Sequence, residues 1–216
     1  MIKKLKAQKI INLGSLKMEI VLATRNKKKI EEMKRVIADM PIILLTLDDF
    51  SRCPEVEEEG TTFEENAVKK AASVAEYTGK TALADDSGLE VCELNGAPGI
   101  LSSRYAGVDA NDRKNIEKLL HEMDSITDER RGARFVCCIA LAFPDGNIKT
   151  FFGYVDGKIG REPKGSHGFG YDPVFYPAEQ NKTFAEMSSD EKDVLSHRGK
   201  ALRELLSYLK EAVIYK

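Results

Sequence analysis

The chain has no tryptophan and only three histidines among its 216 residues. No apolar run approaches the ~20 residues that a membrane-spanning helix needs, so a helical integral membrane protein is excluded. The four cysteines (Cys53, Cys92, Cys137, Cys138) form no CxxC pair and have no histidine at metal-ligand spacing. Zinc modules and disulfide scaffolds are therefore set aside, and the thiols read as small hydrophobes in a reducing cytoplasm. An excess of one charge is missing too: 33 basic residues face 35 acidic ones, for a net charge of -2. A general electrostatic nucleic-acid binder carries a strongly basic domain, and no such partner is expected here. Low-complexity tracts and internal repeats are also absent.

What is present suits a globular chain. Apolar residues make up 42% and charged residues 31%, and a chain of this length buries roughly 70% of its unfolded surface. Met1–Lys17 stands apart, with five lysines and no acid. Its apolar residues are too interrupted for a secretory signal, so residues 1–17 read as a basic tail, frayed or preceding the true start. No linker is long enough to split residues 18–216.

Glu19–Ala23 is a short apolar run that reads as a strand. After a polar stretch, Ile30, Met33, Val36, Ile37 and Met40 recur at helical spacing until Pro41, and Ile42–Leu47 reads as a buried strand. Strand, loop, helix, strand is the opening of an α/β domain. Thr62-Phe63-Glu64-Glu65 has the pattern of a capping box, and the helix it starts should stop near Gly79. A short strand, Thr81–Ala84, runs into Asp85-Asp86-Ser87-Gly88, read as a strand end before a glycine turn. More strand follows at Leu89–Cys92, and Asn95–Ala110 reads as a long loop. Asp112–Met123 is helical. Ala133–Phe143 and Ile148–Val155 flank the hairpin signal Pro144-Asp145-Gly146-Asn147. Gly157–Pro177 reads as a shaped loop, and the chain closes with helices capped at Ser188 and Ser196.

Three segments could carry chemistry. Thr24-Arg25-Asn26-Lys27-Lys28-Lys29 leaves a strand and enters a helix, where free backbone N–H groups and four cations would cradle a polyphosphate. It lacks the glycines of a Walker loop. Asp85-Asp86, at the end of an apolar strand, suits a hard, oxygen-loving ion such as Mg²⁺, and the acids Glu55, Glu57, Glu58 and Glu59 precede Gly60 and a helix start. Phe169-Gly170-Tyr171-Asp172 sits in a glycine-rich turn, where Phe169 or Tyr171 offers a flat face for a base. Asp172, His197 and Arg198 supply hydrogen-bonding edges.

Seven motifs follow one another in order: Thr24-x-Asn26-x-x-Lys29, Thr62-Phe63-x-Glu65-Asn66-Ala67, Ala84-Asp85-Asp86-Ser87-Gly88-Leu89, Gly96-Ala97-Pro98-Gly99, Ser102-x-Arg104-Tyr105, Phe169-Gly170-Tyr171-Asp172-Pro173 and Ser196-His197-Arg198-Gly199. This series resembles the inosine triphosphate pyrophosphatase (HAM1-like, dITP/XTP pyrophosphatase) family from Met18 to about Leu209. The resemblance implies a mixed α/β fold with a long curved central sheet, flanking helices and two lobes around a cleft. It also implies a cytoplasmic homodimer that hydrolyses ITP, dITP and XTP to the monophosphate and pyrophosphate with Mg²⁺.

By position, Thr24, Arg25, Asn26, Lys27, Lys28 and Lys29 would hold the triphosphate, with Lys70 and Lys192 as further phosphate contacts. Glu57 and Asp86 would bind Mg²⁺, and Asp86 would also take the proton of the attacking water. Ser87, Phe169, Gly170, Tyr171, Asp172, His197 and Arg198 would contact the nucleotide. Arg198, a donor only, would favour a base with a keto oxygen at position 6. Arg25 and His167 depart from the family pattern, in which smaller residues are usual. Two rival readings are a pyrophosphatase for other modified nucleotides and a nucleotide-binding protein without catalysis.

Overall fold

The computed structural model describes residues 17–50 and 52–214, with side chains described to residue 211. The basic segment expected as a tail lies outside the described residues except for Lys17. Six strands form one mixed sheet: β1 (Met18–Leu22), β2 (Ile42–Thr46), β3 (Thr81–Val91), β4 (Gly132–Ala142), β5 (Ile148–Ile159) and β6 (Phe175–Pro177), in the order β2-β1-β3-β4-β5-β6. β1 runs parallel to both β2 and β3, whereas β3, β4, β5 and β6 pair antiparallel in sequence. Among the described residues five α-helices flank it: α1 (Lys27–Ile37), α2 (Phe63–Thr78), α3 (Asp112–Glu122), α4 (Ser189–Leu195) and α5 (His197–Ile214).

The strand alternation decides which helix goes where. Ala82 and Ala84 of β3 point to the face covered by α2, where they meet Ala67, Ala71 and Val74. Leu83 points to the opposite face, against Met33 and Ile37 of α1 and Leu202 and Leu205 of α5. Farther along β3, Leu89 and Val91 join Phe135, Val155, Phe175 and Phe184 in a third cluster under Ile116 and Leu119 of α3.

Two glycines allow close approach. A Cβ on Gly153 would lie 2.0 Å from the His197 carbonyl oxygen, so its absence lets the start of α5 rest on β5. A Cβ on Gly88 would lie 2.4 Å from the Gly99 carbonyl, where the turn Gly99–Arg104 packs on β3.

Several sequence expectations need correction. Asp85-Asp86-Ser87-Gly88 is not a strand end before a turn: β3 runs unbroken through it, paired with β4 from Ala82↔Ala142 to Val91↔Ala133. β2 is a half-buried edge strand and not a buried one. The stretch expected as loop after Gly157 begins with strand, because Gly157, Lys158 and Ile159 pair with β6. At α2, Thr62 Oγ1 accepts the Glu65 N–H at 3.1 Å, while the Glu65 carboxylate takes the Thr61 N–H at 2.7 Å.

Candidate active site

A cleft of about 500 Å³ opens where these elements meet, in the size range of small-molecule sites. One wall is the turn from β1 into α1. Asn26 is the N-cap of α1, and its side-chain oxygen already accepts the N–H groups of Lys28 and Lys29 at 3.0 and 3.3 Å. The expected cradle of free backbone donors is therefore largely satisfied by the cap, and the cations left to meet an anion are side chains. Thr24, Arg25, Asn26 and Lys29 line the cleft; Lys27 and Lys28 do not. Lys29 reaches inward, its ammonium 3.0 Å from Asp85.

The floor is β3. The Asp85 carboxylate accepts from Lys29 and from Nε and Nη2 of Arg198, at 3.1 and 3.0 Å, with Ser87 Oγ 3.3 Å away. Burial alone would push this carboxyl up, but Lys29, Arg198 and Lys70 outweigh it and hold Asp85 well below the usual carboxylate range. Asp86 faces the α2 side, accepting Asn66 Nδ2 at 3.1 Å and lying 3.6 Å from the Lys70 ammonium. Burial raises its pKa, Lys70 only partly opposes that, and Glu58 adds to the rise.

Lys70 is shared. It lies 2.5 Å from Glu58 and donates to the Asp85 carbonyl at 2.8 Å. Glu57, expected beside Asp86 as a metal ligand, is exposed and does not line the cleft; its neighbour Glu58 takes the inward place.

The far wall is the turn holding Phe169 and Asp172, backed by α4 and the start of α5. Phe169 lies with its ring centroid 4.8 Å from the Lys192 ammonium and 5.5 Å from the Arg198 guanidinium. Lys192 pairs with Asp172 at 2.5 Å and with Glu32 at 2.8 Å, and Arg198 Nη1 donates to the same Glu32. Burial would raise the Glu32 carboxyl, but Arg198 and Lys192 hold it low.

Arg198 thus lines the cleft with its Nε and both Nη atoms already donating to Asp85, Glu32 and Ser87. His197 stacks on Phe135 with centroids 4.6 Å apart. Burial, reinforced by Arg198 and Lys192, pushes its pKa well below the ordinary imidazole range. Its Nδ1 is buried and has no hydrogen-bond partner among the described residues.

Sequence reasoning missed Glu32, Arg104 and Asp112. Glu32 gave no signal, being one acid on a polar helix. Arg104 belongs to a motif that was noticed but given no role; it lines the cleft 3.8 Å from Glu58.

The Ham1 family model matches residues 20–208. The chain belongs to the Ham1 family. It is 53% identical to the dITP/XTP pyrophosphatase of Syntrophobacter fumaroxidans over 86% of this chain and 79% of that one. With the dITP/XTP pyrophosphatase of Thermus thermophilus it shares 52% identity over 90% and 93%. Among solved structures, a HAM1 protein from Coxiella burnetii superposes with a TM-score of 0.83 at 45% identity, covering 90% of this chain and 99% of that one. The fold is shared at this identity. No described helix is long and apolar enough to cross a membrane.

Proposed function

We propose that this chain hydrolyses non-standard purine nucleoside triphosphates (dITP, XTP and ITP) to the nucleoside monophosphate and pyrophosphate. The observation that carries this reading is Asp86: a buried carboxylate with a raised pKa, set between Asn66 and Lys70 in a cleft whose other cations face inward.

The donor set beside Asp86 fits a hard divalent cation. The carboxylates of Glu58 and Asp86 both face the Lys70 ammonium, at 2.5 and 3.6 Å. Among the described residues no group of three or more His, Cys, Asp or Glu side chains could hold a metal alone. Two carboxylates with the remaining ligands from water and phosphate is the usual arrangement for Mg²⁺. Asp86 and Glu58 would hold it, and Glu57 is next along the same acidic segment. When bound, such an ion supplies charge neutralisation at the phosphate oxygens.

The side chains do the rest. Lys29 and Lys70 bind the triphosphate oxygens and fix the α-phosphorus before Asp86. Asp86 orients a water and takes its proton as the water oxygen bonds to the α-phosphorus. The bond from that phosphorus to the bridging oxygen breaks, and pyrophosphate leaves. The ring of Phe169 faces the base. Lys192 keeps one N–H beyond Glu32 and Asp172, and Arg198 keeps one beyond Asp85, Glu32 and Ser87; donors there suit a keto oxygen at position 6 better than an amino group. The family resemblance supports a cytoplasmic homodimer, which light scattering tests.

A panel of nucleoside triphosphates with Mg²⁺, with pyrophosphate and phosphate measured separately, tests the reading. Expected is pyrophosphate release with ITP, dITP and XTP far ahead of ATP. Orthophosphate release with accumulating diphosphate overturns it.

A further inference from the structure

Lys28 was expected among the phosphate contacts, yet it lies on the outer side of the turn that carries Phe169. It lines a separate, smaller cavity with His167 and Met187. Its ammonium donates to the Gly168 carbonyl at 3.3 Å and lies 5.7 Å from the Phe169 ring centroid. It is also 3.9 Å from Asp112, the first residue of α3. The same Asp112 oxygen, Oδ2, accepts the Gly170 N–H at 2.9 Å. Between these two contacts, the Phe169 N–H donates to Asp172 at 2.8 Å.

Three successive residues of the turn are thus held through their backbone groups by side chains from α1, from α3 and from the turn's own end. The turn needs such holding. Gly168 and Gly170 have φ of +72° and +60°, a region that glycine enters freely, so the two residues flanking Phe169 impose little direction of their own. Surface ion pairs are weak as a class, and both partners here are about half exposed, so Lys28–Asp112 contributes little stability by itself. What it contributes is geometry.

We propose that Lys28 and Asp112 are positioning residues that clasp the Gly168–Gly170 turn from two helices, so that the Phe169 ring stands ready as the stacking face for the purine. The kinetic consequence rests on the nucleotide reading above; the clasp does not.

Because the chain has no tryptophan but seven tyrosines, Phe169→Trp places its single tryptophan at the stacking face, excited selectively beyond the tyrosine absorption. In that background Asp112→Ala is expected to raise acrylamide quenching, and Asp112→Asn, which keeps an acceptor for the Gly170 N–H, to restore most of the protection. With Phe169 intact, Asp112→Ala should raise KM for ITP about 10-fold while kcat stays within about twofold, the scale of a weakened base stack. Ribose 5-triphosphate, which has no base, should show no such rise. Lys28→Met should act in the same direction, and the double variant should lose less than the sum of the two single losses.

Equal losses on ITP and ribose triphosphate, unchanged quenching, or strictly additive effects of the two substitutions each overturn the clasp. If the unaltered protein releases no pyrophosphate from ITP, the nucleotide reading fails and quenching alone decides the clasp.

Discussion

Asp85 and Asp86 are neighbours on β3, yet their carboxylates sit in opposite electrostatic settings. Asp85 faces Lys29 and Arg198 and is held far below the ordinary carboxylate range; Asp86 faces Asn66, Lys70 and Glu58 and is raised from its ordinary value. The strand alternation separates them, and with them two tasks: one acid locks charges in place, the other is left reactive.

Asp86→Asn should therefore separate activity from stability. Turnover should fall by about 10²-fold or more, the scale of lost general-base help. The fold should hold or gain, because ionised Asp86 is disfavoured by its surroundings. Steady-state pyrophosphate release and thermal melting of the same sample check this.

Arg198→Ala should instead damage the fold. It leaves Asp85 and Glu32 buried without their shared cation, and breaking a buried pair in this way typically costs about 3–5 kcal/mol. Urea unfolding measures it. Base selectivity in that variant is interpretable only once this loss is known.

Stability should decline toward acid in two stages. His197 is neutral in the fold with its pKa pushed down by burial, so below about pH 6.5 the unfolded chain gains a proton that the folded one refuses, and stability falls. Asp85 is depressed; its contribution is full above about pH 3.9 and is lost as pH drops toward its folded value. Urea midpoints measured from pH 8 to pH 3 should show the first decline near neutrality and a steeper one below pH 4.

Gly153→Ala should loosen the site from behind. A methyl there would meet the His197 carbonyl and the Ala201 nitrogen, at 2.0 and 2.7 Å, and overpacking typically costs about 1–3 kcal/mol. As α5 shifts, His197 and Arg198 move with it, so a reduced kcat/KM for ITP should accompany a lower melting temperature.

Local pattern carried the helices, because capping residues and 3.6-residue spacing are near in sequence: Thr62 and Ser188 cap as their side chains dictate. Strand ends were less legible. Asp85-Asp86-Ser87-Gly88 has turn chemistry, and only its pairing with Val136–Ile139 of β4, fifty residues away, keeps it extended. In the site, Asp86, Lys29 and the Phe169 turn stood out by residue type and order, whereas Lys70 came only from the family resemblance. A run of glutamates does not say which one turns inward, so Glu57 and Glu58 could not be separated. Glu32 was invisible because its burial is created by Lys192 and Arg198, which arrive from the other end of the chain.

That last separation has a consequence for biosynthesis. The Glu32–Lys192 and Glu32–Arg198 contacts close loops of 160 and 166 residues, among the slowest kinds of contact to form. A ribosome releases α1 well before α5, so for most of translation Glu32 lacks both Lys192 and Arg198. The nucleotide pocket is thus a late product of folding, and a chain truncated before α5 carries all six strands but should have no working site.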